Sequence, residues 1–310
     1  MNIGKITFIC ALLLSTSQFV YGQGRAISVT FDDLPGTHGD TEQFIYVNKK
    51  LLTTLYSEDI PAIGFVNESK LYRQGKPDTQ LVSLLSDWLD VGLELGNHTY
   101  SHVFINQTPL EAYKEEIRKG ELIIRPLIEK EGESLRYFRH TQLRTGPTEE
   151  YRQNLNRFLK EEGYTVAPVT IDNDEYIYAF CYNKAHEQED QAKKEWIRKD
   201  YLRYMEGIFA YYEHLSKEFL GYEPKQILLL HANLLNADTL PQLVQMLRSR
   251  NYSFVSLENA LADDAYDLPV VQSDRGLSWI HRWMIAKDLN PPEQPEVSQR
   301  IGKLFEEYRG

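Results

Sequence analysis

The sequence predicts an α/β protein in which about seven β–α units form one barrel-like domain. Short apolar runs alternate with amphipathic stretches along most of the chain, as in repeated β–α units. No Pro/Ser-rich linker or low-complexity tract divides these units, and 310 residues are enough for one large core. No glycine-rich phosphate loop follows the first strand, which favours a barrel over an open doubly wound sheet.

The predicted strands are short runs of apolar and β-branched residues, and they cover residues 26–31, 62–66, 93–96, 135–138, 165–171, 226–230 and 253–256. The predicted helices carry apolar residues three and four positions apart, and they cover residues 44–55, 81–89, 110–127, 149–162, 187–219 and 240–249. Thr108 and Pro109 support the start of the third helix, because Thr-x-x-Glu is a capping box and proline suits the first helical position.

The N-terminus predicts a secretory signal. Lys5 precedes a mostly apolar run over residues 6–20, and a cleavage site follows before Gln23. We expect residues 1–22 to be removed, because the apolar run is too short to span a bilayer comfortably. The mature chain would hold Cys181 as its single thiol, which is typical of a secreted protein of the bacterial periplasm rather than of a small extracellular module.

The charge balance argues against nucleic acid as a partner. The chain has 34 Lys and Arg against 45 Asp and Glu, a net charge of −11, so it lacks the basic field that nucleic-acid binding needs. With 42% hydrophobic and 25% charged residues, the composition also excludes wholesale disorder.

Polar residues follow several predicted strands, at the end where barrel enzymes place their chemistry. Asp32 and Asp33 follow the first strand, and two adjacent carboxylates repel each other unless one meets a cation. His98 and His102 follow the third strand, and their spacing places both imidazoles on one face of a helical turn, where they can share a metal ion. The same end also carries Arg139, Asp172, Asp174, Glu175 and His231. Each feature alone is also typical of a turn or of a hydrogen-bonded core residue, but together they indicate a site.

In this order the motifs resemble those of the polysaccharide deacetylase family of carbohydrate esterases, the NodB-homology domain. The resemblance covers about residues 26–262 and implies a distorted (β/α) barrel, with residues 23–266 as the catalytic domain. It implies that Asp32 is the general base, that Asp33, His98 and His102 are the ligands of one divalent ion, that Arg139 holds Asp32, and that His231 is the general acid. It also implies that the backbone N–H of Gln142 helps to hold the oxyanion.

Five short motifs define the family, and two of them depart from the family pattern in this chain. Thr141 stands where the third motif has proline. The fourth motif, usually Asp-x-x-Asp-Trp, matches only if a glutamate and a tyrosine substitute. Which of the three acids between residues 172 and 175 orients His231 is therefore open, and we favour Asp174.

These observations predict a secreted, metal-dependent polysaccharide deacetylase. An Asp and two His leave positions open for water and a substrate oxygen, as in catalytic sites. Zn²⁺ suits these ligands best, and Co²⁺, Ni²⁺ and Mn²⁺ are also compatible with them. The ion would activate water, Asp32 would take its proton, and His231 would protonate the leaving amine. The family's usual chemistry therefore favours the N-acetyl groups of amino-sugar glycans over O-acetyl groups.

The alternative is a carbohydrate-binding protein that has lost turnover on the same scaffold, which the departures at Thr141 and Glu175 suggest. The glycan, its chain length and the oligomeric state stay open.

Residues 267–310 form a C-terminal extension that no family motif explains. Trp279 and Trp283 are four residues apart and therefore share one helical face. That face either stacks on sugars beside the site or packs on the barrel. Ile280 and Met284 widen the apolar surface, so we favour packing.

Overall fold

The computed structural model describes residues 24–310, so the predicted signal over residues 1–22 lies outside the described residues. The strands are β1 (Arg25–Leu34), β2 (Ala62–Val66), β3 (Tyr72–Arg73), β4 (Lys76–Pro77), β5 (Glu94–Asn97), β6 (Tyr137–Phe138), β7 (Thr165–Val166), β8 (Gln226–His231) and β9 (Tyr252–Phe254). The helices are α1 (Thr41–Ser57), α2 (Thr79–Asp90), α3 (Leu110–Lys119), α4 (Ile124–Lys130), α5 (Glu149–Glu161), α6 (Glu175–Glu187), α7 (Gln191–Leu220), α8 (Leu234–Ser249), α9 (Leu257–Leu261), α10 (Trp279–Ile285) and α11 (Gln299–Arg309).

The main sheet is parallel and curls toward closure. Its strand order is β7-β6-β5-β2-β1-β8, and β9 pairs with the start of β1. The chain beyond β7 then reaches the opposite edge, where Ile171 forms a parallel bridge with Leu228 of β8. This contact joins the two ends of the strand order, which confirms the predicted α/β barrel and explains its distortion, because β7 itself pairs over two residues only.

The first strand lies at the centre of the core. Ile27, Val29 and Phe31 are buried on one face of β1, and Ser28 and Thr30 are buried on the other. Burial of both faces is expected for a parallel strand that helices cover on the outside. The six strands in this strand order all run in the same direction, so their carboxyl ends meet at one end of the barrel.

Two differences between the helices and the prediction bear on the site. The predicted helix over residues 110–127 is divided into α3 and α4, with Gly120 at the break. Helix α6 was not predicted, because the acids that precede it are typical of a turn. Its buried face nevertheless contains Tyr178, Tyr182 and Ala185, which have helical spacing.

The C-terminal extension packs on the barrel through α10 and α11. Trp279 is 6% exposed and Trp283 has no exposed surface, so these two rings do not form an open platform for sugars. The Trp279 backbone N–H donates to the Val169 carbonyl over 2.7 Å, which attaches the extension to the segment that closes the sheet. None of the helices within residues 24–310 combines the length and the apolar character needed to cross a bilayer.

Candidate active site

Asp32 and Asp33 lie at the carboxyl end of β1, where the strand departs from regular pairing. The register with β2 shifts between Phe31 and Leu34, and Asp33 has a φ of 71°. Aspartate tolerates this left-handed conformation better than most residues. Asp32 pairs directly with His231 in the register between β1 and β8, so the predicted base and acid lie on neighbouring strands.

The two histidines of the second motif meet in a loop and not in a helical turn. Thr99 and His102 have φ values of 69° and 55°, so the helical explanation for their spacing was wrong. The loop is stabilised by its own side chains: Asn97 Oδ1 accepts from the Thr99 N–H over 2.8 Å, and Thr99 Oγ1 accepts from the His102 N–H over 3.1 Å. The result is that the imidazole rings of His98 and His102 lie 5.0 Å apart.

Asp33, His98 and His102 form a cluster that fits a divalent ion. Asp33 Oδ1 lies 3.7 Å from His102 Nε2 and 3.9 Å from His98 Nε2. The three potential ligand atoms lie within 4.8 Å of one another. His98 Nδ1 donates to the Arg139 carbonyl over 2.9 Å, which leaves the Nε2 lone pair directed at the cluster.

The electrostatics of this cluster also suit a metal ion. Burial lowers the pKa of both His98 and His102 to about 4, against the opposing effect of Asp33, so both imidazoles are neutral at pH 7. Asp33 Oδ1 is buried and has no hydrogen-bond partner among the described residues. A buried carboxylate oxygen without a partner is costly, and a bound cation would satisfy it.

Lys70, which the sequence did not suggest, lies beside the same cluster. Its Nζ is 3.5 Å from Asp33 Oδ1 and donates to the Asp33 carbonyl over 3.2 Å. Burial alone would raise the pKa of Asp33, but the Lys70 ammonium and the neighbouring imidazoles hold it below its usual value.

Asp32 lies between the cluster and the buried Arg139. Its Oδ2 is 3.6 Å from His98 Nε2, and its Oδ1 is 4.0 Å from Arg139 Nη1. Arg139 has no exposed surface and donates through Nη2 to Thr30 Oγ1 over 2.9 Å. Burial raises the pKa of Asp32, and the Arg139 charge opposes this effect and favours the ionised carboxylate.

Glu175, and not the favoured Asp174, holds His231. Glu175 Oε2 lies 2.8 Å from His231 Nδ1, and its Oε1 accepts from Asn233. The nearest hydrogen-bond donor to the Asp174 carboxylate is Gln294, 3.5 Å away in the C-terminal extension. The physical reason is that α6 begins at Glu175, so neighbouring side chains diverge, and glutamate has one more methylene with which to reach β8.

This pair keeps His231 cationic. Burial alone would lower the pKa of His231, but the Glu175 charge and hydrogen bond raise it to about 9. The imidazole is therefore protonated at neutral pH, as a proton donor must be.

The segment around Thr141, which is the third family motif, forms a loop with left-handed backbone. Gln142 and Leu143 have φ values of 50° and 52°, each of which costs a non-glycine residue roughly 1–2 kcal/mol. Thr141, at the family's proline position, donates to the Val103 carbonyl over 3.1 Å and accepts from the Tyr113 hydroxyl over 3.2 Å. The Gln142 side-chain amide lies 2.9 Å from His102 Nδ1, a contact that the sequence did not predict.

The first motifs lie within a recognised family domain. The model of the polysaccharide deacetylase family matches residues 20–167. This match confirms the resemblance of the motifs to the polysaccharide deacetylase family. The match ends before Asp172 and His231, so the fourth and fifth motifs rest on the geometry described above.

Solved structures are similar to this chain at low identity. A polysaccharide deacetylase from Bacillus cereus is 19% identical over 75% of this chain and 91% of that chain, with a TM-score of 0.50. A peptidoglycan deacetylase from Bacillus subtilis is 17% identical over 76% of this chain and 91% of that one, with a TM-score of 0.46. A CE4 family pseudoenzyme from Bacillus anthracis is 13% identical over 78% of this chain and 66% of that one, with a TM-score of 0.48. A comparison with curated protein sequences finds no match.

In this polysaccharide deacetylase fold, the motif residues line one cleft at the carboxyl ends of the strands. The cleft has a volume of about 660 Å³. Asp32, the metal-binding cluster and His231 all contribute to its lining, and Gly276 brings the C-terminal extension to its wall. Lys70 and Gln142 also line it. Lys70 was not predicted, and for Gln142 only the backbone N–H was, because the direction of both side chains depends on the tertiary fold.

Proposed function

We propose that this protein is a metal-dependent hydrolase of the polysaccharide deacetylase family that removes N-acetyl groups from amino-sugar glycans. One observation carries the proposal: a cluster of Asp33, His98 and His102, a buried carboxylate and a cationic imidazole lie in one cleft. We also propose that residues 1–22 are a secretory signal, that residues 23–266 form the catalytic domain, and that the enzyme acts in the periplasm.

Asp33, His98 and His102 would hold the ion, and Zn²⁺ is the ion that we propose. When bound, a divalent ion polarises the acetyl carbonyl and lowers the pKa of water toward neutrality. The donor set fits this role, because both imidazoles are neutral and the Asp33 carboxylate is ionised at pH 7.

Asp32 is proposed to take the proton of the attacking water. Its carboxylate lies beside the cluster, 3.6 Å from His98 Nε2, and burial raises its pKa and so its basicity. The Arg139 charge favours the ionised form of this carboxylate, and Arg139 is itself held by its hydrogen bond to Thr30. The backbone N–H of Gln142 would donate to the oxyanion, a contact of the kind worth about 3 kcal/mol.

His231 is proposed to protonate the leaving nitrogen. An amide anion is a very poor leaving group, so cleavage of an acetamide requires a proton donor at the nitrogen. Because the pKa of His231 is raised to about 9, the donor form is present throughout the neutral range. This arrangement supports N-deacetylation over ester cleavage, which depends less on such a donor.

The decisive experiment measures acetate release from chitooligosaccharides, peptidoglycan, poly-N-acetylglucosamine and acetylxylan. We expect release from one of the N-acetylated glycans, loss of release with a chelator, and recovery with Zn²⁺. His98→Ala should lose bound metal, whereas Asp32→Asn should keep the metal while kcat falls by about 10²-fold or more. Release from acetylxylan alone would overturn the proposed substrate class. Glycan binding without any release would support the inactive binding protein instead.

A further inference from the structure

The C-terminal extension reaches the active-site loop through a buried cation. Arg282, in α10, has no exposed surface, and its guanidinium lies 5.1 Å from the centre of the Trp279 ring. Its hydrogen bonds go to carbonyl and hydroxyl oxygens and not to a carboxylate. Burial of a charge without a carboxylate partner costs free energy, so the hydrogen bonds between Arg282 and the segments that it joins must offset that cost.

The guanidinium connects two parts of the chain that are far apart in sequence. On one side, Nη2 donates to the Leu143 carbonyl over 2.7 Å and Nη1 donates to Thr145 Oγ1 over 3.2 Å. On the other side, Nη1 donates to the Val271 carbonyl over 3.0 Å and Nη2 donates to the Arg275 carbonyl over 3.3 Å. The planar fork of arginine can make these contacts together, whereas an ammonium group cannot.

Gly276 supplies a second contact between the extension and the loop. A Cβ atom at this position would lie 2.3 Å from the Gln142 carbonyl oxygen, which is a backbone atom. The two backbones can therefore approach this closely only because residue 276 is glycine. Gln272 adds a hydrogen bond of 2.8 Å from Nε2 to the Gly146 carbonyl.

The loop needs support from outside because its own residues do not favour its conformation. Gln142 and Leu143 are both left-handed, and Thr141 replaces the proline that would have fixed one φ angle. The loop also carries two groups on which the site depends: the Gln142 N–H and the Gln142 amide beside His102.

We propose that Arg282 and Gly276 are positioning residues for the active site. They hold the left-handed loop so that the Gln142 N–H is aimed into the cleft and the Gln142 amide fixes the His102 ring. The extension is then part of the catalytic apparatus, although it lies outside the family motifs. The kinetic part of this inference rests on the proposed function, whereas the effect on His102 does not.

The test compares Arg282→Met and Gly276→Ala with two matched controls. Arg275→Met changes an exposed arginine of the same segment, and Gly207→Ala changes a glycine of α7 around which there is open space. For all variants we would measure the melting temperature, kcat and KM, and the affinity and visible absorption spectrum of bound Co²⁺. The Co²⁺ spectrum reports the geometry of the ligands, including His102, and does not require turnover.

Gly276→Ala is expected to fold and to lower kcat by about tenfold to 10²-fold with KM nearly unchanged, because a displacement of about 1 Å can cost about 10²-fold. It should also alter the Co²⁺ spectrum. Arg282→Met should show the same pattern if it folds, and both controls should behave as the wild type. A folded Gly276→Ala variant with wild-type kcat and a wild-type Co²⁺ spectrum would overturn the inference. If the wild type releases no acetate, the proposed function fails, and the Co²⁺ spectrum of Gly276→Ala alone decides whether the loop is positioned by the extension.

Discussion

At the scale of single residues, the Glu175–His231 pair controls the proton donor. The pKa of His231 is about 9 in the structure because the Glu175 charge and hydrogen bond outweigh the effect of burial. Glu175→Gln removes that charge and should lower the pKa of His231. Since the protonated form is the active one, kcat falls as pH rises through this pKa, and the alkaline limb of the pH–rate profile should move to lower pH in the variant. Asp174→Asn is the matched control, and an equal shift in that variant would contradict the assignment.

Lys70 predicts an effect on metal affinity that no motif indicates. Its ammonium lies 3.5 Å from Asp33 Oδ1, the carboxylate oxygen that would also bind the divalent ion. Two like unit charges about 4 Å apart repel by about 1 kcal/mol even at the dielectric constant of water, so Lys70→Met should tighten Zn²⁺ binding by about fivefold or more.

A competition titration against a chelator measures this change. Lys76→Met, on the exposed strand β4, should leave the affinity unaltered. Weaker Zn²⁺ binding in Lys70→Met would show that Lys70 stabilises the loaded site rather than opposing it.

The residues that could be predicted are those whose role follows from their position at a strand end. Asp33 and His98 follow buried strands directly, so the direction of the sheet is enough to bring them together. The contact of Gln142 depends on a left-handed conformation, and that of Lys70 depends on a short 3-10 helix after β2; no periodic pattern encodes either. The choice between Asp174 and Glu175 depended on where α6 begins, and a difference of one residue decided it.

At the scale of elements, the end of α3 supports the loop that carries the histidines. The Tyr100 N–H donates to the Glu116 carbonyl over 2.9 Å. A Cβ atom at Gly120 would lie 2.7 Å from the Thr99 carbonyl carbon and 2.9 Å from Asn97 Oδ1. The break between α3 and α4, which the sequence pattern did not predict, is therefore the place where the helix makes room for the loop.

Gly120→Ala should displace this loop and weaken metal binding, with a lower melting temperature as a second effect. A misplacement of about 1 Å at His98 or His102 should weaken Zn²⁺ binding by about tenfold, the lower end of the range for changes in the groups that orient metal ligands. Gly207→Ala, inside α7 and without close neighbours, should be neutral or slightly stabilising. Unchanged Zn²⁺ affinity in Gly120→Ala would show that the loop keeps its shape without α3.

At the scale of the whole molecule, the barrel and the site are completed by the same segments. The chain between β7 and α6 closes the sheet at Ile171 and supplies Glu175 four residues later. The extension attaches to that segment, where the Ser278 Oγ donates to the Thr170 carbonyl over 2.7 Å. The alternating pattern was sufficient to predict the barrel, but the closing contact and the docking of the extension involve irregular backbone. Packing between distant segments decides those features, and local sequence does not.

The same docking buries a histidine far from the cluster and makes stability depend on pH. His281 is 6% exposed, and its Nε2 lies 2.9 Å from the hydroxyl of Tyr211, which itself donates to the Pro292 carbonyl. The His281 Nε2–H therefore donates to the Tyr211 hydroxyl. Burial, with a smaller effect of Arg275, lowers the pKa of His281 from 6.5 to about 4. Between these two pH values the unfolded chain binds a proton that the folded chain does not. The contribution of His281 to stability is therefore fully present above pH 6.5 and is lost as pH falls toward about 4.

His281→Gln should remove this contribution while keeping a donor for Tyr211. One proton taken up on unfolding corresponds to about 1.4 kcal/mol per pH unit, so the variant's free energy of unfolding should fall less steeply by about that amount below pH 6. Urea unfolding of the metal-free protein at several pH values between about 4.5 and 8 measures the two slopes. Above about pH 7.5 both proteins hold a neutral side chain at this position, so their slopes should coincide there. Parallel curves over the whole range would show that the pKa of His281 is the same in the folded and unfolded states, which would contradict the prediction.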